Sequence, residues 1–175
     1  MSKTIGWIGT GVMGQPMAGH LLQAGYEVQV HSRTKEKANP LLERGARWGA
    51  TPGEVAEGCD FVFSIVGYPA DVESVFLGED GVIARAQAGA VLVDMTTSEP
   101  ALAERIHAEA TAKGVGALDA PVSGGDLGAR NATLAIMVGG DRESFDASLP
   151  LFQVMGENIA HFGPAGSGQR VKMSN

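Results

Sequence analysis

The stretch Gly9-Thr10-Gly11-Val12-Met13-Gly14 decides the fold of this chain of 175 residues. Residues 3–8 before it predict a short buried strand, and apolar residues at three- to four-residue spacing predict a helix over 13–24. A GxGxxG between a strand and a helix is the fingerprint of a turn that binds the pyrophosphate of a dinucleotide. Its first glycine permits the turn, its second admits the pyrophosphate, and its third lets helix and strand pack closely. The alternative is a glycine turn that serves packing alone.

The chain continues to alternate strand and helix patterns after this turn. Further strands are predicted at 27–31, 61–66, 91–95, 116–119, 134–138 and 158–161. Helices are predicted at 35–44 with a disturbance at Pro40, from Thr51, at 71–77, at 100–113, and from Asp141 to about residue 154. Residues 121–131 are predicted to form a loop. This order predicts one α/β domain with a doubly wound, mostly parallel sheet of the Rossmann type.

The composition argues against several classes of function. With 13 Lys and Arg against 20 Asp and Glu, the net charge is −7, so nucleic acid and anionic membrane surfaces are not expected partners. Cys59 is the single cysteine, which excludes an internal disulfide and predicts a small buried side chain. No Cys/His cluster has metal-ligand spacing, so no metal is expected. No signal-peptide pattern or membrane-spanning run is visible, and we expect a cytoplasmic protein.

The end of the second strand bears on which dinucleotide binds. A site that prefers NAD carries Asp or Glu there to accept from the ribose 2′-OH, but this chain has His31-Ser32-Arg33-Thr34. Arg33 can pair with a 2′-phosphate, and the hydroxyls of Ser32 and Thr34 can donate to it. The sequence therefore favours NADP(H), with NAD(H) as the alternative cofactor. The alternative role for Arg33 is a solvated loop residue.

Other strand ends supply candidate ligand contacts, because open α/β sheets bind ligands at the carboxyl ends of their strands. One predicted strand ends at Val66 and is followed by Gly67 and Tyr68. We count these three residues as candidate cofactor contacts. Thr97 follows the next strand and is a further candidate, while Ser98 is predicted to cap a helix.

The last part of the chain holds the candidate substrate contacts. Ser123, Gly124 and Gly125 can hold a carboxylate through a hydroxyl and bare backbone N–H groups, or form an ordinary turn. Lys172 and Asn175 are three residues apart and would share one face of a helix. A solvated charge is the alternative for Lys172.

Five segments occur in an order that resembles the β-hydroxyacid dehydrogenase family. They are IGTGVMGQPMAGHLLQAG, HSRT, VDMTTSEP, DAPVSGG with GARNATLAIMVGG after it, and GPAGSGQRVKMSN. The family includes 3-hydroxyisobutyrate dehydrogenase, tartronate semialdehyde reductase and the glyoxylate/succinic semialdehyde reductases. The chain departs from the common pattern at His20, where the family often has Asn, and at Ala132, where it often has Gly.

The resemblance implies roles for the candidate residues. The glycine turn would cradle the pyrophosphate, Arg33 would contact the 2′-phosphate, and Thr97 would lie by the nicotinamide ribose. Ser123 and Gly124 match the substrate-binding position, Lys172 matches the catalytic lysine, and Asn175 matches a residue that orients the substrate. The implied reaction is an NADP(H)-dependent interconversion of a small 3-hydroxyacid, or another short hydroxy acid, and its semialdehyde or oxo acid by hydride transfer. The alternatives are an NAD-dependent 3-hydroxyisobutyrate dehydrogenase and, in another class, a non-catalytic dinucleotide-binding module.

The resemblance also implies a division of the chain. Residues 1–163 are expected to form the dinucleotide-binding domain, and residues 164–175 to begin an interdomain helix that carries the proposed catalytic lysine. Family enzymes continue into an all-helical second domain that this chain lacks. We therefore expect a homo-oligomer to form through that domain in the complete enzyme, and the isolated chain to turn over weakly or not at all. The expected partner is a small carboxylate substrate.

Overall fold

The computed structural model describes residues 3–174 as a nine-stranded sheet flanked by helices. The strands are β1 (Thr4–Ile8), β2 (Glu27–His31), β3 (Arg47–Trp48), β4 (Phe61–Ser64), β5 (Val91–Asp94), β6 (Gly116–Asp119), β7 (Val122–Ser123), β8 (Leu134–Gly140) and β9 (Gly156–Gly163). The helices are α1 (Gly14–Gln23), α2 (Asn39–Glu43), α3 (Pro52–Ala56), α4 (Pro69–Leu77), α5 (Val82–Arg85), α6 (Pro100–Thr111), α7 (Gly125–Asn131), α8 (Arg142–Met155) and α9 (Ser167–Ser174).

The sheet is doubly wound, as the sequence predicts. Its strand order is β3-β2-β1-β4-β5-β6-β8-β7, with β9 paired to β8. Strands β1 to β6 run parallel to one another, whereas β8 runs antiparallel to β6 and β7 and parallel to β9. The chain leaves β1 toward β2 on one side and returns to β4 on the other, so the strand order reverses at β1. The carboxyl ends of strands at such a switch point are where α/β sheets bind ligands.

Two apolar clusters cover the two faces of the sheet. Alternate residues of a strand point to opposite faces, and accordingly Phe61 and Phe63 join one cluster while Val62 joins the other. In the first cluster the rings of Trp7 and Phe63 stack with centroids 5.6 Å apart. Both faces are therefore apolar and covered, which explains why the β4 and β5 segments are continuously rather than alternately apolar.

Several expectations change at the level of single elements. The segment 121–131, expected to be a loop, contains β7 and α7. Pro40 divides the predicted helix 35–44, because a 3-10 turn at Lys35–Ala38 precedes α2, which has Pro40 in its first turn. Ser98 was expected to cap a helix, and this is wrong: α6 begins at Pro100 with Glu99 at the N-cap. The elements β3, with 2 residues, and α5, with 4 residues, are too short to show a period in the sequence.

Two N-cap positions also differ in how they are used. Thr51 caps α3 as predicted, because its side chain accepts from the N–H of Glu54 at 3.0 Å. Asp141 lies at the N-cap of α8, but its side chain makes no capping bond. Its carboxylate instead lies 3.2 Å from Nε2 of His107 on α6.

Candidate functional site

A cleft of ≈ 600 Å³ opens at the carboxyl ends of β1, β2, β4 and β5. All thirteen residues predicted to contact a cofactor line it: Gly9, Thr10, Gly11, Val12, Met13, Gly14, Ser32, Arg33, Thr34, Val66, Gly67, Tyr68 and Thr97. Six lining residues were not predicted: Lys37, Ile65, Asp71, Met95, Thr96 and Val122. The fold therefore brings together segments that lie between residues 9 and 122 of the sequence. The cofactor contacts themselves remain predictions.

The glycine turn has two kinds of glycine. A Cβ on Gly9 would lie 2.0 Å from the carbonyl oxygen of Ile65, and one on Gly14 would lie 2.1 Å from that of Gly9. Gly9 also has a φ of +106°, in the region that favours glycine. A Cβ on Gly11, by contrast, would meet nothing within 4 Å. Gly9 and Gly14 thus allow backbone to pack on backbone, and Gly11 leaves open space where a pyrophosphate could approach.

Basic and acidic side chains meet at the β2 end of the cleft. Nη2 of Arg33 pairs with Oδ1 of Asp71, and Lys37 lies in the same wall. Asp71 belongs to α4, which follows β4, and its Oδ2 accepts from the N–H of Tyr68 at 3.1 Å. Lys37 follows Arg33 by about one helical turn, and this spacing in the sequence could have identified it as a second cation. No sequence signal points to Asp71, because only the strand order places it beside Arg33.

At the β5 end, Thr96 organises the cleft wall. Its N–H donates to Oδ1 of Asp94 at 3.0 Å, and its Oγ1 accepts from the N–H of Val66 at 3.0 Å. Burial raises the pKa of Asp94 to about 7, and the nearby Asp119 adds to the rise, whereas the hydrogen bonds from Thr96 lower it. Thr96 therefore joins the β4 and β5 ends of the cleft. The sequence had singled out its neighbour Thr97 and not Thr96.

The candidate substrate residues meet the candidate catalytic lysine beside this cleft. Nζ of Lys172 donates to Oγ of Ser123 at 3.1 Å. Ser123 ends β7, and its neighbour Val122 lines the cleft. Gly124 and Gly125 follow with φ of +135° and +60°, which allows the chain to turn directly into α7. Asn175 lies outside the described residues.

Helix α9, which carries Lys172, is anchored by buried side chains that the sequence did not reveal. Asp119 accepts from the N–H of Gly166 at 2.8 Å and from that of Gln169 at 3.0 Å. The amide of Gln169 donates to the carbonyl of Thr96 at 2.8 Å and accepts from the N–H of Ser98 at 2.9 Å. A Cβ on Gly168 would lie 2.4 Å from the carbonyl oxygen of Met137. The glycines before and within α9 are therefore the one feature of this anchor that could be recognised in the sequence.

Three further expectations concern Cys59, metal ligands and membrane-spanning helices. Cys59 is buried, and burial raises the pKa of its thiol to about 12, so it behaves as the small buried residue predicted. Within residues 3–174, no three His, Cys, Asp or Glu side chains are grouped as metal ligands would be. None of the helices in that part of the chain has the length and apolarity that a bilayer crossing requires.

Residues 4–163 match the family described as the NAD binding domain of 6-phosphogluconate dehydrogenase. The chain belongs to this family. The match includes the glycine turn, the whole cleft and Ser123, and it ends just before α9. The dinucleotide-binding fold and the resemblance to hydroxyacid dehydrogenases inferred from the sequence are thereby confirmed at the level of the family.

The chain is also similar to individual oxidoreductases and to solved structures. The uncharacterized oxidoreductase YkwC of Bacillus subtilis is 55% identical over 175 residues, which are 100% of this chain and 61% of that protein. The structure of Mycobacterium tuberculosis 3-hydroxyisobutyrate dehydrogenase with L-serine is 34% identical with a TM-score of 0.94, over 100% of this chain and 59% of that one. The structure of Psf3 with NADP+ and 2-OPP is 31% identical with a TM-score of 0.93, over 98% and 61%. The chain thus spans about three fifths of these three relatives.

Proposed function

We propose that this chain is the cofactor-binding part of an NADP(H)-dependent oxidoreductase that interconverts a small 3-hydroxyacid and its semialdehyde. The observation that carries the proposal is the 3.1 Å contact between Nζ of Lys172 and Oγ of Ser123, next to the cleft that holds the glycine turn. A bound nicotinamide cofactor supplies the hydride that reduces the carbonyl carbon, and accepts it in the reverse direction. Residues 1–163 would form the dinucleotide-binding domain, and residues 164–175 would begin the helix that presents Lys172.

The chain's own residues divide the remaining work. The hydroxyl of Ser123 and the backbone N–H groups of Gly124 and Gly125 would hold the substrate carboxylate. This fixes the distance between that carboxylate and Nζ of Lys172, because the lysine already touches the serine. Protonated Lys172 would donate a proton to the oxygen that becomes the alcohol, and neutral Lys172 would remove that proton in the oxidative direction. Asn175, three residues after Lys172 in the sequence, is the proposed substrate-orienting residue.

Lys172 is supported as the proton donor by its surroundings. It lies on α9, whose first turn is tied to the sheet by Asp119 and Gln169, so buried hydrogen bonds hold the helix that carries Lys172. Its half-buried side chain donates to the neutral hydroxyl of Ser123, and within residues 3–174 no carboxylate is among its hydrogen-bond partners. Such an ammonium group is available to a substrate oxygen.

The cofactor and substrate classes have separate support. Arg33 and Lys37 supply two cations at the end of β2, where a 2′-phosphate would lie, and the related Psf3 structure contains NADP+. The related dehydrogenase of Mycobacterium tuberculosis was solved with L-serine, which is itself a 3-hydroxyacid. The first line of support points to NADP(H), and the second points to a short carboxylate that bears a hydroxyl on its third carbon.

The test is a substrate screen with the protein at its full natural length. NADPH oxidation would be followed with glyoxylate, succinic semialdehyde, tartronate semialdehyde and methylmalonate semialdehyde, and NADP+ reduction with 3-hydroxyisobutyrate. We expect turnover with tartronate semialdehyde, methylmalonate semialdehyde or 3-hydroxyisobutyrate, faster with the phosphorylated cofactor than with NAD(H). Turnover only with glyoxylate or succinic semialdehyde, whose reduced products are not 3-hydroxyacids, would contradict the proposed substrate class. Turnover only with NADH would favour an NAD-dependent 3-hydroxyisobutyrate dehydrogenase. Tight cofactor binding without any turnover would favour a non-catalytic module.

A further inference from the structure

The ion pair between Arg33 and Asp71 brings a carboxylate to the end of β2, where the sequence itself has no Asp or Glu. No Asp or Glu follows β2 within the segment His31-Ser32-Arg33-Thr34. Asp71 comes from α4, which follows β4, and β2 and β4 lie on either side of β1. Its carboxylate therefore reaches Arg33 across the end of β1, and both side chains line the cleft.

The two partners are held very differently. Oδ2 of Asp71 accepts from the N–H of Tyr68 at the start of α4, over 3.1 Å, while Oδ1 pairs with Arg33. The side chain of Asp71 is 22% exposed, whereas that of Arg33 is 83% exposed. Because α4 holds Asp71 in place and solvent surrounds Arg33, Arg33 is the partner that can turn to a ligand.

We propose that Asp71 is a cofactor-specificity residue that competes with the 2′-phosphate of NADP(H) for Arg33. The phosphate gains Arg33 only when the guanidinium leaves Asp71, whereas NAD(H) has no 2′-phosphate and meets no such competition. Asp71 thus reduces the preference that Arg33 and Lys37 create for the phosphorylated cofactor. The inference rests on the proposed function in one respect, that the cleft binds nicotinamide dinucleotides.

The variant Asp71→Asn separates the charge of Asp71 from its role in the helix. Asn keeps an oxygen that can accept from the N–H of Tyr68, but it does not form an ion pair with Arg33. We expect this variant to bind NADPH about three- to fivefold more tightly, the size of an exposed ion pair, and NADH with little change. The gain should shrink at high ionic strength, because salt weakens the Arg33–Asp71 ion pair that the variant removes.

Glu73→Gln is the matched control. Glu73 lies on the same helix and pairs with Arg105 at 3.3 Å, but it does not line the cleft. This variant removes the same charge from an ion pair of α4, so a general effect of net charge would appear in it too. We expect its affinities for NADPH and NADH to match those of the wild type.

The experiment is a set of fluorescence titrations of the chain with NADPH and NADH, in the wild type, both variants, Arg33→Ala and the Arg33→Ala/Asp71→Asn double variant. We expect Asp71→Asn to lose its effect on NADPH when Arg33 is absent. An unchanged or weaker NADPH affinity in Asp71→Asn would overturn the inference, and so would a gain that persists in full without Arg33. If the wild type bound neither dinucleotide, the proposed function would fail and this inference with it.

Discussion

Lys172 on α9 and Ser123 at the end of β7 form a hydrogen bond of 3.1 Å between Nζ and Oγ, across 49 positions of sequence. The two residues belong to different segments of the sequence, a serine-glycine turn and a lysine 49 positions later. Their contact joins the candidate carboxylate site to the candidate proton donor. It also makes the roles of the two residues separable by experiment.

Replacing Lys172 by Ala should abolish turnover while leaving cofactor affinity unchanged. The proposed proton transfer supplies about 10²- to 10⁴-fold in rate, and Lys172 is not among the residues that line the cleft. NADPH oxidation by the protein at its full natural length and NADPH titration of this chain measure the two quantities. Lys113→Ala serves as a control, because Lys113 contacts only the carbonyl of Ile83 among its described partners. Normal turnover in Lys172→Ala would show that another group moves the proton.

Substitutions of two glycines in the turn should have different effects, one on folding and one on cofactor binding. Gly14→Ala should lower the free energy of unfolding by about 3 kcal/mol, because its Cβ would lie 2.1 Å from the carbonyl oxygen of Gly9. Gly11→Ala has free space and should fold like the wild type, yet it should weaken NADPH binding about tenfold by occupying the approach of the pyrophosphate. Urea denaturation and fluorescence titration of both variants check this. Equal NADPH affinity in Gly11→Ala and the wild type would contradict the placement of the pyrophosphate.

Asp119→Ala should destabilise the chain by about 2–4 kcal/mol, because it leaves two buried N–H donors without their acceptor. These donors are the backbone amides of Gly166 and Gln169 at the start of α9. Urea denaturation measures the loss, and Asp146→Ala is the control, since its exposed ion pair with Arg142 contributes little. A loss no larger than that of the control would show that α9 does not depend on Asp119.

Asp94 should make stability fall as the pH rises. Burial raises its pKa from 3.8 to about 7, so between these values the folded chain keeps a proton that the unfolded chain releases. The free energy of unfolding attributable to Asp94 is therefore highest below pH 3.8, declines across this window and levels off above pH about 7. Asp94→Asn keeps an acceptor for the N–H of Thr96 and should lack this decline. Urea denaturation of both proteins across the pH range would give parallel curves if Asp94 did not titrate there.

The sequence was sufficient for features that depend on neighbouring residues. The turn from β1 into α1, the buried strands β4 and β5, and the division of 35–44 at Pro40 all follow from local periodicity and from the chemistry of Gly and Pro. Helix α7 was missed because its sequence, GDLGARN, has no apolar period and contains two glycines. It is supported instead by tertiary contact, since Nε2 of His20 on α1 lies 2.8 Å from the carbonyl oxygen of Ala129.

In the candidate site, too, some residues could be predicted from the sequence and others depend on tertiary contact. The residues at strand ends were found because the carboxyl ends of parallel strands share one edge of a sheet. Asp71 and Gln169 were missed because their partners lie 38 and 71 to 73 residues away in sequence, at Arg33, Ser98 and Thr96. Only the strand order β2-β1-β4 and the docking of α9 bring these groups together.

The central claim, that the cleft binds NADP(H), is tested most directly by titrating this chain with NADPH and NADH while following nicotinamide fluorescence. The account predicts saturable binding of both cofactors at one site, with NADPH the tighter, and loss of that preference in Arg33→Ala. Tighter binding of NADH than of NADPH, or no binding of either, would contradict it.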